Sequence, residues 1–214
     1  MGLLDENTKN EIKKLFEEIK DEVKLIFVSK ENCEYCPNIS ELVDELGSLS
    51  SMIKVEKYDI NNKEIVNKYK IDRAPVIIVD GKNKGLVRFF GIPSGHEFGP
   101  FLMTIIDASR GESKELPNEL IEQIKKIDKP LRMLVFITPS CPYCPHSVRI
   151  AHIMAIYNKN IFGDAVEAIE FNEWANKYSV RGVPKTVIND KISFEGAYPP
   201  DMVLKNIYDK LGEL

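Results

Sequence analysis

The 214-residue chain has no block of lysine and arginine, and its formal net charge is −4. A surface that collects phosphates needs a basic balance, so nothing here is a nucleic-acid signature. No apolar run approaches the length of a membrane span. The first residues turn acidic at Asp5 and Glu6, without the charged-then-apolar order of a secretory leader. Residue 6 is also not the Ser or Thr of an N-myristoylation site. A cytoplasmic protein that binds neither nucleic acid nor membrane is the expectation. Tryptophan occurs once, as Trp174, which is expected to pack a short helix on its sheet. Cysteine is scarce as well: there are four, and all of them fall in two Cys-x-x-Cys pairs. With no cysteine left over, a structural disulfide framework is not the natural reading; redox or metal chemistry is.

The two pairs are Cys33-Glu34-Tyr35-Cys36 and Cys141-Pro142-Tyr143-Cys144. Each follows an apolar run, Val23–Val28 or Leu131–Ile137, and leads through Pro37 or Pro145 into a segment of helical periodicity. A cysteine placed where a strand turns into a helix meets unsatisfied backbone N–H groups and the positive end of the macrodipole, which favour thiolate over thiol. A second sulfur one turn on is close enough to resolve a mixed disulfide. Cys33 and Cys141 are therefore the expected nucleophiles, and Cys36 and Cys144 the resolving thiols. Tyr35 and Tyr143 occupy equivalent positions, where a ring could shield the first sulfur. A zinc site made of all four cysteines is the rival reading. It requires four ligands around one metal, and these pairs lie 108 residues apart, each before its own helix.

Along the chain, residues 8–20 carry helical periodicity, and Val23–Val28 reads as a strand before the first cysteine pair. Ile39, Leu42, Val43 and Leu46 mark the next helix, with Gly47 as its expected end. Ile53–Tyr58 reads as a strand and Asn62–Lys70 as a short helix. A proline-led strand then follows at Pro75, a hairpin at Asp80-Gly81 leads to Leu86–Phe90, and a last helix runs to Arg110. The order then repeats: Ile12, Phe16 and Ile19 recur as Leu120, Ile124 and Ile127, and Pro75 recurs as Pro184. This register marks an internal duplication. The polar stretch 111–117 separates the copies, giving expected domains 1–112 and 113–214. Each copy predicts an α/β unit, a mixed central sheet with helices on both faces. Of the histidines, His146 is expected to be exposed, His152 to lie on a helix face, and His96 in a loop or helix start.

These residues resemble the thioredoxin-fold pattern, and Cys141-Pro142-Tyr143-Cys144 is similar to the glutaredoxin version of its active site. The whole chain resembles the protein disulfide oxidoreductases with two fused thioredoxin-like folds, known from heat-loving archaea and bacteria. The resemblance implies dithiol–disulfide exchange on protein disulfides, with no organic cofactor or metal. It also implies a thioredoxin-reductase-like flavoprotein as electron source. Further, it implies cis peptides at Pro75 and Pro184, with the backbone of Ala74 and Val183 exposed to pair with an extended substrate. The sequence departs from thioredoxin at Phe27 and Val135, where thioredoxin has a buried acid, so no base for the resolving cysteines is assigned. A related expectation within the redox class is an electron relay from a flavoprotein to a peroxiredoxin. From another class comes a non-enzymatic metal-binding or chaperone-like module.

Overall fold

The computed structural model describes residues 2–210 and 212. In chain order the first repeat contains α1 (Glu6–Phe16), β1 (Val23–Ser29), α2 (Cys36–Ser48), β2 (Ile53–Asp59), α3 (Lys63–Lys68), β3 (Val76–Asp80), β4 (Leu86–Phe90) and α4 (Phe98–Arg110). The second contains α5 (Asn118–Lys126), β5 (Leu131–Ile137), α6 (Cys144–Tyr157), β6 (Ile161–Glu167), α7 (Asn172–Lys177), β7 (Lys185–Ile188), β8 (Ile192–Glu195) and α8 (Pro200–Asp209). A 3-10 turn, Gly95–Glu97, precedes α4. The order of elements is the same in both copies, as the repeat predicted.

Helix α1 starts and stops earlier than its periodicity suggested. Asp5 accepts the Thr8 N–H at 3.0 Å and sets the start. After Phe16 the chain tightens into i,i+3 turns, in which Glu17, Glu18 and Ile19 donate to Lys14, Leu15 and Phe16. That tightening keeps Ile19 buried although it lies outside the helix. Helix α2 runs one residue beyond Gly47, its expected end.

The strands form one sheet of eight, in the order β2-β1-β3-β4-β6-β5-β7-β8. The two repeats are therefore joined edge to edge: β4 of the first pairs in parallel with β6 of the second. β3 runs against β1 and β4, and β7 against β5 and β8. β1 and β5 consequently point the same way. Alternation along β1 sends Leu25 and Phe27 into one core and Ile26 and Val28 into the other. The larger core is covered by α1, α2, α4, α5, α6 and α8, and the smaller by α3 and α7. Trp174 of α7 sits in the smaller core against Phe90, Phe136 and Phe171.

The junction explains why equivalent elements differ. β2 is an edge strand and stays partly exposed, whereas its counterpart β6 is buried along nearly its whole length. On this joint, Arg88 of β4 faces Asp164 of β6 in register, and both side chains are 0% exposed. Two parallel bonds of 2.7 and 2.6 Å link them, a bidentate geometry suited to guanidinium and carboxylate. Helix α6 is buried from Ser147 to Tyr157 because it packs on the sheet, α4 and α5 together. His152 lies on a face of α6, and that face is in the core. Its Nδ1 lies 3.2 Å from Thr104 Oγ1 and its Nε2 3.3 Å from the Arg88 carbonyl. Burial, reinforced by Arg149, pushes it down to about 3, so it stays neutral.

Candidate active sites

Both cysteine pairs sit at the carboxyl ends of parallel strands, β1 and β5, where each strand turns into the helix opened by its second cysteine. Pro37 and Pro145 occupy the first turn of α2 and α6, where the missing N–H costs nothing. In both pairs the sulfurs are joined as disulfides, Cys33–Cys36 and Cys141–Cys144. The Cys36 N–H donates to Cys33 Sγ at 3.1 Å, and the Cys144 N–H donates to Cys141 Sγ at the same distance. Each first sulfur therefore receives an amide from a helix start, the arrangement that stabilises a thiolate once the disulfide opens. The four sulfurs form two separate pairs. Among the described residues, no group of three or more His, Cys, Asp or Glu could hold a metal ion.

The Ala74–Pro75 and Val183–Pro184 peptides are both cis. Each proline carbonyl accepts an N–H from the glycine that ends the hairpin, Gly91 at 3.3 Å and Gly196 at 2.8 Å. At the second site the Val183 carbonyl oxygen lies 3.6 Å from Cys141 Sγ, which brings two of the expected site residues together. The equivalent tyrosines have different surroundings. Tyr143 is 70% exposed, whereas Tyr35 is half-buried against the larger core. The Tyr35 hydroxyl is pushed up by Glu34, by burial, and by Glu170 and Glu167.

Solvent access also separates the sites. Cys33 and Cys36 are half-buried beside a depression of 540 Å³ lined by Phe27, Lys30, Pro37 and Lys57. Cys141 is 7% exposed and Cys144 is fully buried.

Three carboxyl groups at the sites were not visible to sequence reasoning, and each comes from the opposite repeat. Glu97 lies on the 3-10 turn of the first repeat, which packs on the entrance of α6. The neighbouring His96 N–H donates to the Pro139 carbonyl at 2.9 Å, two residues before Cys141. Gly95 makes that approach possible: its φ is +59°, and a Cβ there would stand 2.3 Å from the Pro139 oxygen. Glu97 is 1% exposed, and neither carboxyl oxygen has a hydrogen-bond partner among the described residues. Burial pushes it up to about 8. Facing the first site are Glu167, the last residue of β6, and Glu170, on the connection from β6 to α7. Glu170 accepts the Ile92 N–H at 2.8 Å. It is pushed up to about 7, mainly by burial, with Glu167 and Glu34 adding like charge. A glutamate in a turn or after a strand reads as solvated; only the packing of one repeat on the other buries these.

Residues 22–102 and 131–209 each match the family model described as a thioredoxin domain. The crystal structure of a protein disulfide oxidoreductase from Aeropyrum pernix k1 is similar, with a TM-score of 0.85 and 29% identity over 95% of this chain and 93% of that one. Among curated proteins, the chain is 27% identical over 98% of its length to an "NADH dehydrogenase" of Bacillus subtilis (strain 168). It is 29% identical over 88% of its length to an alkyl hydroperoxide reductase component of Escherichia coli (strain K12). It spans only 38% and 34% of the length of these two curated relatives.

Proposed function

The chain belongs to the thioredoxin-domain family, and from that premise we propose that it is a thiol–disulfide oxidoreductase acting on disulfides in protein substrates. The observation that carries this reading is the repeated geometry: at each strand-to-helix turn a disulfide whose first sulfur accepts the amide of the second cysteine at 3.1 Å. In the reducing direction the thiolate of Cys33 or Cys141 attacks one sulfur of the substrate disulfide and expels the other as a thiolate. A mixed disulfide remains. Cys36 or Cys144, deprotonated, then attacks the first cysteine and expels the second substrate thiolate. The substrate gains two electrons and two protons, and the protein pair becomes a disulfide. Ala74 and Val183 supply the backbone edge against which an extended substrate segment lies.

Cys144 is fully buried, so its proton needs a nearby acceptor. Glu97 fits that role at the second site through its ionised fraction: it is buried on the element packed on the α6 entrance, and, pushed up to about 8, it binds a proton about as tightly as a thiol does. The two sites operate separately. Four strand spacings separate β1 from β5 in one continuous sheet, about 19 Å, and sulfurs must come into bonding contact to exchange. Residues 1–112 and 113–214 are the two domains of this reading, each with its own dithiol.

A second reading places the chain as an electron relay between a flavoprotein and a peroxiredoxin. It is supported by the match to the alkyl hydroperoxide reductase component over most of this chain. In either case the partners are redox proteins, with a thioredoxin-reductase-like flavoprotein as electron source. No helix among the described residues is long and apolar enough to cross a membrane. The cytoplasm is the location of this reading, because a reducing compartment keeps such dithiols supplied with electrons. The testing experiment is dithiothreitol-driven reduction of insulin, with zinc content measured on the same preparation. We expect turnover that is lost when Cys33 and Cys141 are both changed to Ser. One zinc per chain with no insulin reduction would overturn the reading. Peroxide reduction reconstituted with a flavoprotein and a peroxiredoxin tests the relay.

A further inference from the structure

The segment 69–75, which ends in the cis Ala74–Pro75 peptide, is held by side chains from both repeats. Arg88 of β4 donates to the carbonyls of Tyr69 and Lys70, at 3.0 and 2.6 Å. Arg132 of β5, in the second repeat, makes a bidentate pair with Asp72 at 2.7 and 2.9 Å. Its Nε also donates to the buried Asp164 at 2.8 Å, so the clamp is rooted in the Arg88–Asp164 pair. The Arg73 guanidinium lies 4.3 Å from the centre of the Trp174 ring, and that of Arg132 lies 5.3 Å from the same ring. Between this segment and α7 runs a groove of 480 Å³, lined among others by Lys30, Arg73, Ala74, Glu170, Asn172 and Trp174; neither cysteine lines it, and Lys30 is the residue it shares with the depression beside Cys33 and Cys36.

The equivalent segment of the second repeat is held from within its own repeat, where Lys185 of β7 donates to the Ser179 carbonyl at 3.2 Å; among the described residues no arginine of the other repeat reaches it. Arg181 stands where the first repeat has Asp72, and it is exposed, as is Gly182. Lys24, the counterpart of Arg132, is engaged by Glu56 on β2. The reason is topological: β8 is the outer edge of the sheet, and among the described residues no further strand lies beyond it.

We propose that the substrate groove of the Cys33–Cys36 site is composite. Its Ala74 edge is positioned by Arg132 of the second repeat, and its far wall is built from Asn172 to Trp174. This rests on the reading of Ala74 as the substrate-contacting edge. The occupant is an extended polypeptide segment carrying a disulfide, which at this site touches both repeats. The Val183 edge at the Cys141–Cys144 site is set by its own repeat alone. The first site is therefore preshaped, and the second adjusts to its substrate.

The test uses two proteins, one with only the first site (Cys141→Ser with Cys144→Ser) and one with only the second (Cys33→Ser with Cys36→Ser). Each carries Arg132→Met or the surface change Asn172→Trp, and turnover of a disulfide-linked fluorescent peptide is followed. Both changes should raise KM about tenfold at the first site with kcat little altered, the signature of lost binding, and leave the second site unchanged. Limited trypsin digestion supplies a readout independent of activity. In the unsubstituted chain the Arg181–Gly182 bond should be cut well before Arg73–Ala74, and Arg132→Met should release the cut at Arg73. Equal KM changes at both sites, no KM change at an active first site, or equal cutting of the two bonds would overturn the proposal. An unsubstituted first-site protein that does not turn over would instead count against the functional reading, and the digestion would still decide the clamp.

Discussion

Replacing Glu97 with glutamine should stabilise the protein by an amount that depends on pH. The carboxyl is 1% exposed, has no hydrogen-bond partner among the described residues, and is pushed up to about 8 by burial from an ordinary value of 4.5. Between those two values the native state holds a proton that the unfolded chain has released. Stability therefore falls as pH rises, by about 1.4 kcal/mol per pH unit. It is fully present below pH 4.5 and levels off once pH passes 8. Glutamine does not titrate, so the variant's stability relative to the parent should climb by about 3 kcal/mol between pH 5 and pH 7.5. For a chain of this size that is about 6–12 °C in melting temperature. Urea denaturation of both proteins at half-unit pH steps reads the difference directly, and other titrating groups cancel in it. A difference flat across this range would mean that burial does not raise the proton affinity of Glu97 in the folded protein. The same variant, carrying only the second site, should resolve mixed disulfides more slowly. Stability gained and activity lost at one residue is the trade expected of a functional buried acid.

Asp164→Leu should destabilise the chain by about 3–5 kcal/mol, because it leaves Arg88 buried without its carboxylate; calorimetry measures this, and a loss under about 1 kcal/mol would show the pair to be dispensable. Adding Arg88→Met to that variant should recover part of the loss, since the Tyr69 and Lys70 carbonyls lose their donor and Arg132 still lacks Asp164, and a double variant as weak as the single one would place the cost elsewhere. Ala74→Pro should depress turnover at the first site only, since it stiffens the edge offered to substrate while the second site keeps Val183; equal losses at both sites would contradict the separate-site reading.

The repeat, the strand-to-helix placement of both cysteine pairs and the prolines that enter the later strands were all legible in the sequence. Each is set by local pattern: apolar periodicity, a proline at a helix start, and register kept over a constant spacing. The joining of the sheets was not. Arg88 and Asp164 are charged residues in short strands, and in isolation such residues read as solvent-facing. They become buried only because β4 and β6 each present an edge, and each charge neutralises the other. The same event buried His152, which the sequence placed on a helix face without showing that the face is covered. It also brought Glu97, Glu167 and Glu170 to the opposite repeat's dithiol. The run from Ile150 to Tyr157, nearly all apolar, held the one available sign that α6 is covered on every side. The base missing at Phe27 and Val135 is a further case: the acid proposed for the second site, Glu97, lies in the other repeat, and no local pattern specifies that.

The most direct test of the central claim is intact-mass analysis after single-site proteins are mixed with a disulfide-bonded peptide. In the proteins that keep one site, Cys36→Ser or Cys144→Ser should accumulate a covalent adduct of one peptide chain, because attack survives and resolution does not. Cys33→Ser or Cys141→Ser should remain unmodified. Adducts forming equally on both kinds of variant, or on neither, would contradict exchange by the first cysteine of each pair.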